Sequence, residues 1–113
     1  MTADRGGAER RRYPRVRAKI PVEIHSDQGT TASRTATDEI SLCGCYVETM
    51  FTLDIGAKVV LTFSVNNEQL RTTAVVATRY PQVGNGFDFV DMMPEDRLKL
   101  NDFIVASDSE SAG

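Results

Sequence analysis

Apolar and polar residues alternate along two neighbouring segments in the middle of the chain. In residues 59–65 (VVLTFSV) and 70–79 (LRTTAVVATR), apolar side chains recur at every second position. This period is typical of β-strands with one buried face. Residues 66–68 (NNE) separate the two segments by the length of a tight turn, and Asn tolerates the positive φ that such turns need. The pattern predicts an antiparallel hairpin.

Four further strands are predicted where β-branched or aromatic residues are concentrated between Gly, Asp, Asn or Pro. These segments are residues 16–25, 31–39, 45–50 and 86–91. Six short strands in one small chain favour closure into a barrel, because closure leaves no unpaired edge. The predicted fold class is all-β, a six-stranded antiparallel β-barrel.

A short α-helix is predicted to end the fold. Pro94 can occupy the first turn of a helix, and the two acidic residues after it suit the positive N-terminal end. Leu100, Phe103 and Ile104 recur at i, i+3 and i+4, so they form an apolar stripe that we expect to pack on the barrel.

The chain is predicted to contain one domain with a flexible segment at each end. Its 113 residues and 41% apolar content can supply a single modest core. Residues 1–15 are predicted to be a flexible Arg-rich N-terminal arm, residues 16–106 the barrel and helix, and residues 107–113 a small, polar, disordered tail. No apolar run approaches the roughly 20 residues that cross a bilayer. A cytoplasmic protein without membrane insertion is expected.

The reactive residues do not form a recognisable catalytic or metal site. Cys43 and Cys45 are too close in sequence for ordinary disulfide geometry and lack the partners of a zinc site, so both are expected to be buried or half-buried. His25 is the single histidine, and Ser41 has no base and orienting group at any recognisable spacing. We expect a protein that is not an enzyme and that has no metal and no cofactor.

Positive charge is concentrated at the N-terminus of an otherwise acidic chain with a net charge of -3. Residues 1–19 hold six arginines and one lysine against two acidic residues, whereas the remainder holds six basic and fourteen acidic residues. The body would therefore repel an extended polyanion while the arm attracts a compact one. A small phosphate ligand is the expected partner, rather than long nucleic acid.

Two short motifs resemble the signature of the PilZ domain family. Arg11 and Arg15 form R-x-x-x-R before the first strand, and residues 39–44 (EISLCG) read E-x-S-x-x-G. The family pairs R-x-x-x-R with a downstream [D/N]-x-S-x-x-G, and its ligand is the bacterial second messenger cyclic di-GMP. Residues 83–90 (VGNGFDFV) also look like the Gly-x-Gly-aromatic entry into the last barrel strand of the family.

The resemblance implies ligand contacts for three arginines of the arm. Arg11 and Arg15 should contact phosphate and guanine, because a guanidinium bonds both bidentately. Arg10 should add stacking or phosphate contact, as in relatives that hold two intercalated ligand molecules. The arm is then expected to fold over the ligand and become ordered on binding.

The second motif departs from the family at its carboxylate. The resemblance implies that this residue accepts hydrogen bonds from guanine, that Ser41 reaches base or phosphate and that Gly44 permits a tight turn. Here Glu39 replaces Asp or Asn, and Asp38 precedes it. Because a one-residue slip turns a strand side chain to the other face, we predict that Glu39 is the acceptor. Capping of the backbone by Ser41 and a positive φ at Gly44 are the alternative, structural roles.

Several nearby side chains are expected to be structural. Arg12 and Arg17 are predicted to be solvated charges, and Tyr13 is predicted to anchor the arm on the barrel. Arg79 ends a predicted strand and is expected to be exposed, and Tyr46 is expected to pack.

The predicted function is a non-catalytic cyclic di-GMP receptor that switches its interaction with an effector protein of motility, exopolysaccharide or biofilm. One alternative is a variant PilZ domain that binds another cyclic dinucleotide or acts mainly in protein interactions. The other is a barrel that binds single-stranded nucleic acid, which the acidic body and the 7% aromatic content disfavour.

Overall fold

The computed structural model describes residues 15–26 and 32–112, with side chains through residue 107. Within these ranges the chain forms eight β-strands and one α-helix. The strands are β1 (Val16–Arg17), β2 (Pro21–Ser26), β3 (Ser33–Ala36), β4 (Glu39–Ile40), β5 (Gly44–Glu48), β6 (Lys58–Val65), β7 (Glu68–Tyr80) and β8 (Gly84–Met92), and the helix is α1 (Pro94–Ala112). The predicted β fold with a C-terminal helix is confirmed.

The strands form one antiparallel sheet in the order β1-β4-β5-β8-β7-β6-β2-β3. Strands β1 and β4 form one end of this order, and β2 and β3 form the other. The sheet curls because the chain connects β1 directly to β2 and β3 directly to β4, which brings the two ends together. Backbone hydrogen bonds from Ala18 N to Asp38 O (3.2 Å) and from Thr37 N to Ile20 O (2.9 Å) bridge the two ends. The result is a barrel-like sheet.

The strand count differs from the predicted six because two of the predicted strands are interrupted. The predicted strand 16–25 divides into β1 and β2, and the predicted strand 31–39 contributes β3 and the start of β4. At the interruption the buried hydroxyl of Thr37 donates to Ala18 O (2.7 Å) and accepts from Ile20 N (3.1 Å). A side chain thus takes the place of regular ladder hydrogen bonds at this point.

The predicted hairpin is confirmed as β6 and β7. Val65 pairs with Glu68, so the turn consists of the two residues Asn66 and Asn67. Both have positive φ, 50° and 66°, which matches the twist of a two-residue hairpin turn. Glu68 therefore belongs to the strand and not to the turn.

The core is built from the inward positions of the alternating strands. Val59, Leu61 and Phe63 are almost fully buried, and Phe63 meets Phe89 edge to face with 5.7 Å between ring centroids. Pairing between β7 and β8 shifts register at two places, and one shift leaves Ala77 between the paired residues Val76 and Thr78. Such bulges strengthen the local twist of a sheet.

Helix α1 packs against β7 and β1, as the apolar stripe predicted. Leu100 and Ile104 are buried, and Phe103 is partly buried against the core. The helix continues through Ala112, whereas the sequence pattern predicts a disordered tail from residue 107. Helical hydrogen bonds join residues four apart, so a helix needs no contact with the core in order to continue. No helix in the described part of the chain is long and apolar enough to span a membrane.

Candidate functional site

Strands β4, β5, β8 and β7 are neighbours in the sheet and present one row of residues on its outer face. The register aligns Glu39 with Tyr46, Tyr46 with Gly86 and Gly86 with Thr78. The residues that alternate with this row along β4, β5 and β8 are buried in the core. Since successive side chains of a strand point to opposite faces, the row faces outward.

An open depression of about 240 Å³ lies on this outer face. Four predicted site residues line it: Arg15, Glu39, Ser41 and Gly44. The rest of its surface comes from Ile40, Cys43, Cys45, Tyr46, Ala77, Thr78, Tyr80, Gly86, Phe87 and Asp88. The fold therefore brings the end of the Arg-rich segment and the E-x-S-x-x-G motif to one surface.

Arg15 and Glu39 form an ion pair at the margin of the depression. Arg15 Nη1 lies 3.6 Å from Glu39 Oε1, and the two side chains are 47% and 37% exposed. Exposed pairs of this kind contribute at most about 1 kcal/mol to stability. Both groups therefore remain available to a ligand that offers stronger partners.

Asp38 does not line the depression and is bonded elsewhere. Its Oδ1 accepts from Lys19 Nζ (2.8 Å) and its Oδ2 accepts from the Glu48 backbone N–H (2.9 Å). Partial burial opposes ionisation, but the hydrogen bonds from Lys19 and from the Glu48 N–H lower the pKa of Asp38 below its ordinary value. The structure thus places Glu39, and not Asp38, beside the motif serine and glycine.

Ser41 caps the turn that contains it. Its backbone N–H donates to Gly44 O (2.8 Å), and its hydroxyl oxygen accepts from the Cys43 N–H (3.1 Å). The hydroxyl also lies 3.2 Å from Cys43 Sγ. The side chain is buried, so in this structure it has the structural role that the sequence left open. Cys45 is buried as predicted, whereas Cys43 is exposed.

Gly44 is needed for a close approach between strands rather than for a left-handed backbone. In the described ranges, Gly56 has a positive φ, whereas Gly44 does not. A Cβ on Gly44 would overlap the carbonyl oxygen of Phe87 on the neighbouring strand β8. The predicted conformational role of Gly44 is therefore corrected, because its constraint comes from a strand that lies far away in sequence.

Tyr46 and Tyr80 form an aromatic border of the depression. Their rings meet edge to face with 6.3 Å between centroids. Burial, followed by the nearby Glu48 carboxylate, raises the pKa of Tyr46, so its phenol stays protonated at neutral pH. Tyr46 was expected to pack; it does contact Tyr80, but it lines the outer face of the sheet. Its position between the buried Cys45 and Val47 is the signal that could have predicted this outward position.

Asn85 and Arg79 hold the 49–57 loop beside this surface. Buried Asn85 accepts from Leu53 N (2.7 Å) and donates to Leu53 O (3.0 Å). Arg79 donates to Thr52 Oγ1 (2.9 Å) and to Asp54 Oδ1 (3.1 Å). Arg79 is therefore hydrogen-bonded to the loop and does not line the depression. The hydrogen bonds of Asn85 and Arg79 join residues far apart in sequence, so no local sequence pattern predicts them.

The remaining predicted residues lie elsewhere or outside the described ranges. Arg10, Arg11, Arg12 and Tyr13 precede residue 15 and are not described. His25 lies on β2, where Nε2 is 3.1 Å from Glu23 Oε1. Over residues 15–26 and 32–112, no group of three His, Cys, Asp or Glu side chains could hold a metal ion.

A family model decides the relationship. The model of the PilZ domain matches residues 9–106 of the chain. The chain belongs to the PilZ domain family. The resemblance inferred from the two motifs is confirmed. No curated protein matches the sequence significantly.

Three solved structures share the fold of this PilZ domain. The PilZ domain with c-di-GMP of YcgR from Escherichia coli is 18% identical, with a TM-score of 0.71, over 90% of this chain and 94% of that chain. The PilZ domain of CeSA from a cellulose-synthesizing bacterium is 18% identical, with a TM-score of 0.66, over 82% and 96%. The Bacillus subtilis inhibitor of motility MotI (DgrA) is 19% identical, with a TM-score of 0.77, over 87% and 51%. This PilZ domain thus spans about half the length of the MotI chain.

Proposed function

We propose that this PilZ domain is a non-catalytic receptor for cyclic di-GMP. The observation that carries the proposal is the outward depression that groups Arg15, Glu39, Ser41 and Gly44. It lies where the Arg-rich N-terminal segment joins the barrel. The related PilZ domain of YcgR, whose structure contains c-di-GMP, supports this choice of ligand.

The chemistry of the depression fits a ligand with two phosphates and two guanines. The guanidinium of Arg15 can bond phosphate oxygens or the O6 and N7 edge of guanine. The carboxylate of Glu39 accepts hydrogen bonds and suits the N1–H and N2–H₂ donors of the same base. Tyr46 and Tyr80 offer aromatic rings on which a purine can stack.

The Arg-rich arm completes this site in the proposal. Arg15 is the last residue of the predicted arm, so Arg10 and Arg11 are within a few residues of the depression along the chain. Binding orders the arm over the ligand, and charge-assisted hydrogen bonds offset the entropy of ordering. A second, intercalated ligand molecule would be held by the same arginines.

Closure of the arm changes the surface that an effector protein meets. We place this receptor in the cytoplasm, where it acts on an effector of motility, exopolysaccharide or biofilm. The related MotI is an inhibitor of motility, which supports the motility branch of the proposal. The effector is recognised only when the arm is closed.

A second candidate function rests on Glu39. Its side chain is one methylene longer than the family residue and is engaged by Arg15 at 3.6 Å. A variant PilZ domain that binds another cyclic dinucleotide, or that acts mainly in protein interactions, would use this difference. Comparing the affinity of the protein for cyclic di-GMP with its affinity for other cyclic dinucleotides distinguishes the two functions.

Isothermal calorimetry with cyclic di-GMP tests the proposal. The wild-type protein should bind saturably, and Arg11→Ala and Arg15→Ala should each weaken binding by about tenfold or more, because each removes a charge-assisted hydrogen bond. Glu39→Asp restores the family residue and should maintain or improve affinity.

Two controls define the site. Arg34→Ala removes an exposed arginine that pairs with Glu23 away from the depression, so affinity should not change. Asp38→Ala should also leave affinity nearly unchanged. Wild-type affinity in either Arg11→Ala or Arg15→Ala would contradict the proposed site, and absence of cyclic di-GMP binding would contradict the proposed function.

A further inference from the structure

Strand β8 contributes a carboxylate to the depression that neither sequence motif contains. Asp88 is exposed and lines the depression. Its register partners are Gly44 on β5 and Val75 on β7. Among the described residues, no hydrogen bond or ion pair engages its side chain.

The surroundings of Asp88 leave its carboxylate open to a ligand. The preceding residue Phe87 is buried in the core, so Asp88 faces outward. The adjacent outward position across the sheet is Gly44, and the adjacent outward position along β8 is Gly86. Because both lack side chains, nothing from these positions covers the carboxylate on that side.

Glu39 and Asp88 line the depression from β4 and β8, and β5 lies between these two strands. They are separated by two strand spacings and by two residues along the strand, which places their Cα atoms roughly 12 Å apart. This separation leaves room for a ligand between the two side chains, both of which line the depression. It suits a ligand with two separate hydrogen-bond donor edges.

We propose that Asp88 is a base-specificity residue that accepts hydrogen bonds from the second guanine of a bound cyclic di-GMP, while Glu39 accepts from the first. The inference rests on the proposed function. Guanine presents two adjacent donors, N1–H and N2–H₂, which a carboxylate accepts together. Adenine presents the N1 lone pair beside its amino group, so a carboxylate there meets repulsion.

With Asp88 in this role, the preference of the protein among cyclic dinucleotides depends on which bases they contain and not only on their charge. A carboxylate also repels the two phosphates of any cyclic dinucleotide. Guanine hydrogen bonding outweighs this repulsion for cyclic di-GMP, whereas an adenine base leaves it uncompensated. Asp88 should therefore favour cyclic di-GMP over cyclic GMP-AMP and over cyclic di-AMP.

Calorimetric titration of all three ligands against wild type and Asp88→Asn tests this inference. Asp88→Asn should weaken cyclic di-GMP binding about tenfold or more, through loss of charge-assisted hydrogen bonds. The same substitution should leave the affinity for cyclic di-AMP unchanged or increase it. The ratio of the affinity for cyclic di-GMP to the affinity for cyclic di-AMP should therefore decrease. Asp91→Asn is the matched control, because Asp91 is an exposed acid of the same strand that does not line the depression.

The outcomes separate the two proposals. Asp88→Asn that strengthens the binding of all three ligands alike would show simple charge repulsion and would overturn the inference, as would unchanged affinities. In both cases the wild-type protein still binds cyclic di-GMP, so the receptor function stands. Wild-type protein that binds none of the ligands would overturn the receptor function and the inference with it.

Discussion

Asp38 and Glu39 are consecutive residues with different tasks. Asp38 joins the chain segments around it, because it accepts hydrogen bonds from Lys19 and from the Glu48 N–H. Glu39 lines the depression beside Arg15. Alternation of side-chain direction near a strand explains the difference, since neighbours in sequence point to opposite faces. A motif that specifies a carboxylate therefore specifies one position and not its neighbour.

Asp38 should make the stability of the protein depend on pH in the acid range. Its pKa is lowered below 3.8 in the folded protein, so its contribution to stability is present above pH 3.8 and is lost as pH falls through the lower, folded-state pKa. Asp38→Asn lacks this contribution. The difference in unfolding free energy between wild type and Asp38→Asn, measured in urea, should be constant near neutral pH and should narrow below pH 3.8.

Lys19→Ala provides the control for this titration. Lys19 donates to Asp38 and lowers its pKa, so Lys19→Ala should move the Asp38 titration to higher pH when it is followed by NMR of the carboxyl carbon. A pKa of Asp38 at or above 3.8 in the wild-type protein would contradict the assigned hydrogen bonds.

Helix α1 shows how one element combines a buried stripe with an exposed surface. Leu100 is fully buried, Ile104 is almost so, and both belong to the core that β7 and β1 share with the helix. Leu98, on the same helix, is 66% exposed. The N-terminal end adds a polar contact, because Asp96 Oδ2 accepts from the Arg71 N–H (3.1 Å). The helix is therefore part of the domain core.

Leu100→Ala should destabilise the domain strongly. Loss of a fully buried leucine side chain costs about 2–5 kcal/mol through lost burial and a cavity. Leu98→Ala makes the same chemical change at an exposed position and should alter the unfolding free energy by only about 0.5 kcal/mol. Urea unfolding followed by circular dichroism measures both. Equal effects of the two substitutions would mean that the helix does not pack on the sheet through Leu100.

The whole molecule separates positive from negative charge along its chain. Residues 1–19 are rich in arginine, the remainder is acidic, and the net charge is -3. The depression lies where these two regions meet, at Arg15. In the proposed function a compact anion binds there and does not extend onto the acidic surface beyond the depression. An extended strand of nucleic acid would continue onto that surface and be repelled.

Salt dependence distinguishes the two kinds of ligand. Cyclic di-GMP offers two phosphates per molecule, so the logarithm of its affinity should fall only gently with the logarithm of salt concentration between about 50 and 200 mM. A single-stranded oligonucleotide should bind more weakly throughout. An oligonucleotide that binds more tightly than cyclic di-GMP and shows a steep slope would support the nucleic-acid alternative.

Local patterns accounted for the strands, the hairpin turn and the start of the helix. Period two located β6 and β7, the Asn66-Asn67 pair located the turn, and Pro94 located the helix start, because each of these signals depends on residues close in sequence. The two short motifs also identified the family. The end of the helix at Ala112 was not predicted, since helical hydrogen bonding requires no apolar pattern to continue.

Long-range pairing accounted for the site itself. The alignment of Glu39, Tyr46, Gly86 and Thr78 follows from the order of four strands, and Gly44 is constrained by the carbonyl of Phe87. No local pattern contains these relations, because strand order and register are set by the packing of the whole core. For the same reason the sequence contained the carboxylate of Asp88 but no indication of its place beside Gly44.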